Sequence, residues 1–155
     1  KAKQNGKLYR NFMGYTTQHT SFLLGLGVSA ISDVGVAFAQ NKKSLHEYYE
    51  AIEKNELAVC KGYFLNEEDI SFRQYILNII CQGYTKLNTA DLPALKEICF
   101  PELEKLSDDG LIEWNEGEVS VMPSGRHFIR NISSAFDLHL QRNRLGVMPL
   151  FSKAI

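Results

Sequence analysis

Residues 8–17 are dense in aromatic and β-favouring side chains and contain no proline, so they predict an extended strand. Residues 23–31 form a nearly unbroken apolar run broken only by glycine and serine, the pattern of a strand buried on both faces of a parallel sheet. A turn follows at Ser32-Asp33-Val34-Gly35. Ser44 and Glu47 stand at capping-box spacing, which predicts a helix over 44–55. Strand, strand, helix is the order expected at the end of a larger α/β barrel or half-barrel. Two buried strands with no neighbours would leave backbone groups unpaired, so this front segment calls for a partner.

The pattern changes after residue 56. Asn66 precedes Glu67, Glu68 and Asp69, an N-cap followed by carboxylates that complement the helix dipole. Phe72, Ile76, Ile79 and Ile80 recur at helical spacing, and Gly83 supplies the stop. A shorter helix is expected after Thr89 or Asp91. Another is expected from Pro101 to Gly110, with Leu103 and Leu106 on one side. Residues 111–114 and 118–122 alternate across Asn115-Glu116-Gly117, predicting a hairpin. Ser124 is placed to cap a long helix carrying Phe128, Ile129, Ile132, Ala135, Phe136 and Leu140. Helices, hairpin, helix is the order of a winged-helix-like module. The predicted class is α+β, mainly helical. Its divisions are barrel elements over 1–55, a winged-helix-like cap over 56–145, and a tail over 146–155 that docks through Met148, Leu150 and Phe151.

With 155 residues, 45% hydrophobic and 23% charged, the chain has the composition of an ordinary globular protein. A net charge of −1 gives no electrostatic reason to expect nucleic acid or an anionic membrane. No apolar run reaches the roughly 20 residues of a membrane span, and no signal-peptide pattern is present, so a cytoplasmic setting is expected. The first residues are Lys1-Ala2-Lys3 rather than Met, as in a piece of a longer protein. Cys60, Cys81 and Cys99 lack the spacing of a zinc site or redox pair and are expected to be buried apolar residues. His19, His46, His127 and His139 show no metal-ligand spacing, so neither a metal site nor a catalytic residue is assigned.

A winged module raises the question of DNA. Its groove-facing helix would be 101–109, where Glu102, Glu104, Asp108 and Asp109 stand against Lys105 alone. Phosphate contacts require Lys and Arg, so this helix would repel the duplex. The run Gly25-Leu26-Gly27-Val28-Ser29-Ala30-Ile31 is harder to place. A Gly-x-Gly lets backbone approach a ligand, but Ala30 stands where a dinucleotide fingerprint needs its last glycine. Ligand contact and buried core both remain open on the residues alone.

Taken together, Tyr9-Arg10-Asn11-Phe12-Met13-Gly14-Tyr15-Thr16-Thr17, the run 24–32 and the terminal Phe151-Ser152-Lys153-Ala154-Ile155 resemble the oxygen-independent coproporphyrinogen III oxidases. These are radical S-adenosylmethionine (SAM) enzymes of haem synthesis. The resemblance implies a [4Fe–4S] cluster and two SAM molecules in the full-length enzyme. It implies a 5′-deoxyadenosyl radical that abstracts hydrogen from a propionate, leading to loss of CO₂ and giving protoporphyrinogen IX. It further implies that Ile31, beside Ala30, meets the second SAM through its backbone, with Phe12 and Met13 near the same pocket. Some family members carry Gln at the position of Met13.

The cluster loop Cys-x₃-Cys-x₂-Cys is missing from this sequence, so those ligands are expected upstream and the chain alone is expected to be inactive. The implied partners are the upstream radical SAM domain and a tetrapyrrole substrate, in a monomer. A related radical SAM haem-handling protein or haem chaperone is the alternative, and a winged-helix binding module is a more distant one. The chaperones carry a Tyr-Trp pair and Gly-Ala-Gly-Ala-His-Ser where this chain has Gly-Tyr-Thr-Thr and Val-Ser-Ala-Ile-Ser. That difference points to the oxidase branch.

Overall fold

A computed structural model of the chain describes residues 2, 3 and 5–144, so the expected tail over 146–155 lies outside the described residues. The front part opens with a two-stranded hairpin, β1 (Tyr9–Asn11) and β2 (Gly14–Thr16), in register Tyr9↔Thr16. The single strand expected over 8–17 is therefore folded back on itself. Gly14, at φ 131°, takes the turn conformation that L-residues avoid.

A second, antiparallel sheet follows, in the order β3 (Ile31–Asp33), β4 (Ala37–Asn41), β5 (Val59–Phe64). Helix α1 (Leu45–Glu53) connects β4 to β5, and the Ser44 side chain accepts from the Glu47 N–H as its cap. Two expectations are corrected here. Residues 23–31 are not a buried parallel strand: Leu24 and Leu26 are 72% and 90% exposed, and β3 begins at Ile31, antiparallel to β4. Apolar content alone cannot separate a buried strand from a loop that holds its backbone down and its side chains out. The front sheet also runs past residue 55, because β5 pairs with β4 in register Phe38↔Tyr63.

The rear part holds the core. Helix α2 (Glu67–Gln82) starts on a complete capping box between Asn66 and Asp69 and ends at Gly83 in the left-handed conformation, as its sequence predicts. It sends Phe72, Tyr75 and Ile79 into a cluster with Leu95, Leu103, Ile112, Val119, Ile132 and Phe136. Strand β6 (Tyr84–Lys86), which the sequence pattern does not announce, joins the expected hairpin β7 (Ile112–Asn115) and β8 (Glu118–Val121) in the order β6-β8-β7.

Between β6 and β7 the chain is helical through α3 (Leu92–Ala94), a wide π-type turn at Leu95–Cys99, and α4 (Phe100–Asp108). Pro101 therefore lies inside a helical stretch instead of opening it. Its missing N–H and its ring both strain the turn before it, and the widened turn accommodates them. The long helix expected after Ser124 is two short ones, α5 (Ile129–Ser134) and α6 (Leu138–Arg144). Ser124 does not cap: its hydroxyl donates to the Gly110 carbonyl at 2.6 Å.

Among the described residues before Phe72, only Ala51 and Ala58 are buried. The front sheet thus has no core of its own and leans on α2. In the rear core Gly125 fits against strand-end backbone: a Cβ there would lie 2.1 Å from the Leu111 carbonyl oxygen and 3.0 Å from Ile132 Cδ1. Gly125→Ala is expected to lower the unfolding free energy by roughly 1–3 kcal/mol, as overpacking does. Urea denaturation checks it, and an unshifted midpoint would show that the Leu111 backbone can give way.

Candidate functional site

The segment from Leu23 to Ile31 is fixed by its backbone. Leu23 and Asp33 exchange both N–H···O bonds at 2.8 Å, which closes a small bridge beside β3. The Gly25 N–H donates to Ser32 Oγ at 3.0 Å, and the Gly27 N–H donates to the Tyr48 hydroxyl of α1 at 3.2 Å. From β4, Asn41 Nδ2 donates to the Gly25 and Gly27 carbonyls at 3.2 and 2.9 Å. Ser29 sits at φ 61° and its N–H reaches the Lys42 carbonyl at 2.9 Å. Three polar side chains thus hold a loop whose own side chains are apolar.

Strand geometry fixes how Ile31 is presented. In an antiparallel ladder a residue's N–H and C=O point to the same side, and the side alternates along the strand. Asp33 bonds Leu23, and the Asn41 N–H donates to the Ala30 carbonyl at 2.9 Å. By that alternation the Ile31 N–H and C=O lie on the edge of β3 away from β4. Gly25 lies along this edge, so close that a Cβ would stand 2.7 Å from the Ile31 oxygen and 2.9 Å from its nitrogen. A glycine is required there by contact.

The hairpin reaches the same sheet face. Ile31↔Gln40 and Asp33↔Phe38 are opposed pairs, so Ile31, Asp33, Phe38 and Gln40 share one face. The Phe12 ring meets Phe38 edge-on, centroids 5.3 Å apart, while Met13 at the hairpin tip is 88% exposed. Phe12 thus packs at the Asp33 end of the face that carries Ile31, and Ala30 lies next to Ile31 in the chain. Met13 projects away into the open, held only by its N–H to Asn11 Oδ1 at 2.9 Å.

Helix α2 ties this face to the core at two places. The Arg73 guanidinium grips the Asp33 carboxylate, donates to the Gly35 carbonyl at 3.1 Å, and lies 5.0 Å over the Phe38 ring. Near the start of α2, the Tyr63 hydroxyl donates to Asp69 at 2.8 Å and meets His139 Nε2 at 3.0 Å, and His139 reaches Asp69 at 2.9 Å. Between the two clasps lies an apolar cavity of about 450 Å³ floored by Phe72 and Phe136. Burial works to raise the Asp69 pKa, but bonds from Tyr63, the Asn66 N–H and His139 outweigh it, and the carboxyl lies below its ordinary range. Sequence spacing gives no sign of Arg73 or Asn41 as members of one site, because Asn41 reaches Gly27 across 14 residues and Arg73 reaches Asp33 across 40.

No group of three His, Cys, Asp or Glu side chains able to hold a metal exists among the described residues. Burial pushes the Cys99 thiol up to about 12 and raises that of Cys81, so neither is disposed to ligate as thiolate. Cys60, expected to be buried, is instead exposed on β5. Among the described residues no helix is long and apolar enough to cross a membrane.

A scan against models of known protein families finds no match. Relatives are nonetheless clear. The chain is 36% identical over 162 residues to the oxygen-independent coproporphyrinogen III oxidase of Escherichia coli, a match covering 99% of the chain and 35% of that protein. By sequence the chain is similar to the oxygen-independent coproporphyrinogen III oxidases over about a third of their length. The enzyme of that name from Synechocystis is 35% identical over 166 residues, covering 99% of the chain and 35% of its own length. The solved structure of the Escherichia coli coproporphyrinogen III oxidase, described as a radical SAM enzyme, superposes with a TM-score of 0.77 at 35% identity. That superposition covers 89% of the chain and 33% of the larger protein. The chain spans about a third of the length of the relatives it matches.

Two measurements test the local chemistry. Maleimide labelling of the native chain is expected to modify Cys60 rapidly and Cys81 and Cys99 only after unfolding; equal labelling would contradict their burial. The lowered Asp69 pKa stabilises the fold fully above its unfolded value of about 3.9, and that contribution disappears as pH falls through the lower folded value. Thermal melts of Asp69→Asn are therefore expected to show a shallower loss of stability below about pH 4 than the unmodified chain. Parallel acid profiles would count against this clasp.

Proposed function

We propose that this chain forms part of an oxygen-independent coproporphyrinogen III oxidase, where residues 1–55 with β5 complete a radical SAM barrel and the rear part caps it. In the whole enzyme the reaction is the oxidative decarboxylation of coproporphyrinogen III to protoporphyrinogen IX. SAM and a [4Fe–4S] cluster, when bound, supply the radical chemistry. This chain's share is one wall of the second SAM pocket. The observation that carries the reading is the presentation of Ile31: its backbone N–H and C=O lie on the outer edge of β3, with Phe12 on the same sheet face.

The residues suit a flat, polar-edged ligand. The Ile31 peptide turns its N–H and C=O away from β4 beside Gly25, so any contact it makes is independent of side-chain identity, while Phe12 offers a half-exposed ring and Met13 a polarizable thioether. The residues do not fit the cluster, whose cysteine loop the reading places upstream. Exposed Phe22, Leu24, Leu26, Leu57 and Phe64 in the coreless front part give the upstream domain apolar surface to cover.

For the rear part we propose a winged-helix-like cap that does not bind nucleic acid. The sequence α2, β6, α3–α4, β7, β8 with strand order β6-β8-β7 supports the first half of that statement. Helix α4 supports the second, because Lys105, its one cation, is paired to Glu102 at 2.7 Å among further carboxylates.

The reading is tested in the full-length enzyme under anaerobic conditions. Ile31→Val keeps the backbone contact and is expected to change turnover little. Insertion of one residue between Ser29 and Ile31 displaces that contact by about 3.3 Å, and misplacement near 1 Å can already lose roughly a hundredfold in rate. Conversion of coproporphyrinogen, with SAM bound per enzyme counted by equilibrium dialysis, gives the answer. An insertion variant that binds two SAM and turns over normally would remove Ile31 from the site.

A further inference from the structure

One charged side chain from the rear part, Arg73, touches Asp33, on the strand of Ile31, and Phe38, the neighbour of Phe12. We propose that Arg73 of α2 is a positioning residue for the second SAM, holding the β3 edge and the Phe12 ring in one geometry; this rests on the pocket reading above.

One arm runs through the ion pair. Arg73 grips Asp33 with both terminal nitrogens, and Asp33 is two residues beyond Ile31 on the same strand and the same face. A two-pronged guanidinium–carboxylate contact fixes direction as well as distance, which a single ammonium contact does not. The same nitrogen that reaches Asp33 Oδ1 also donates to the Gly35 carbonyl at 3.1 Å, which ties the turn after β3 to α2. Asp33 in turn exchanges backbone bonds with Leu23, the start of the loop that brings Gly25 against Ile31. Displacing Asp33 therefore displaces the edge on which Ile31 presents its peptide.

The other arm runs through the stack. The flat guanidinium lies 5.0 Å over Phe38, and Phe38 meets Phe12 edge-on at 5.3 Å. A cation over one ring face fixes that ring, and the ring fixes its edge-on neighbour. Phe12 is 51% exposed and sits at a two-residue hairpin turn, so this contact is its main restraint toward the sheet. Arg73 itself stands on the helix that carries Phe72 and Tyr75 into the rear core. Its anchorage is thus independent of the front sheet that it holds.

The test is SAM binding by the reconstituted full-length enzyme, counted and titrated by equilibrium dialysis, with circular dichroism and thermal melts in parallel. Arg73→Ala is expected to weaken the second SAM at least tenfold while leaving the first unchanged. Arg73→Lys keeps the charge but loses the fork and the flat face, so an intermediate loss is expected. Phe38→Leu leaves the ion pair intact and cuts only the stack, and is expected to weaken the second SAM severalfold with an unchanged melting temperature. In turnover assays the same variants should raise the KM for SAM more than they lower kcat. Should Arg73→Ala fail to fold, Arg73→Lys and Phe38→Leu decide the matter. Wild-type affinity for the second SAM in both of those variants overturns the positioning role while leaving the pocket standing. An unmodified enzyme that holds a single SAM overturns the pocket itself, and the positioning role with it.

Discussion

The pairing of Arg73 with Asp33 is the joint on which the arrangement of this chain depends. The rear part has a continuous apolar core; the front sheet has almost none. A sheet without a core must be held by specific contacts, and α2 provides them from one end to the other. Asp69 in its first turn meets Tyr63 of β5, Arg73 meets Asp33 of β3, and Gln82 in its last turn donates to the Leu8 carbonyl before β1 at 3.0 Å. The Asp33 side chain is only 13% exposed, so its charge needs this partner. Removing one member of a buried pair costs about 3–5 kcal/mol, and the 29% exposure of Arg73 brings this joint below that range.

That arrangement makes α2 two-sided. Phe72, Tyr75 and Ile79 face the core, while Arg73 and Gln82 face the front. The helix is consequently less cleanly amphipathic than a surface helix, since polar residues with structural partners interrupt its solvent face. The same physics explains the loop before β3. Its backbone groups are satisfied by Ser32, Asn41 and Tyr48 side chains, so its apolar residues are free to face outward. A site built on backbone tolerates change in Ile31 but not in Gly25, whose missing Cβ is what lets the two peptides meet.

Local signals were legible where short-range chemistry decides the outcome. The caps at Ser44 and Asn66, the stop at Gly83 and the hairpin around Asn115-Glu116-Gly117 all act within a few residues, and each stands where its sequence places it. The element types of the rear part follow from the same kind of signal. The motif around Phe12 and the run through Ile31 carry the likeness to one enzyme family, and the proposal for the site rests on them.

Everything that required a distant partner was decided by tertiary structure. Residues 23–31 carry the composition of a buried strand, yet Asn41, Tyr48 and Asp33 bind their backbone into an exposed loop. The helix after Ser124 breaks at Ala135–Asp137, where Phe136 turns fully into the core and the chain must change direction to seat it. Strands β5 and β6 exist because β4 and β8 offer them edges, which no local pattern states. The sequence by itself determined the caps, the turns, the apolar content of the core and the similarity to one group of enzymes. The meeting of Phe12, Phe38, Asp33 and Arg73 on one face belongs to the fold alone, because an ion pair or stacked ring between residues tens of positions apart leaves no period in the chain.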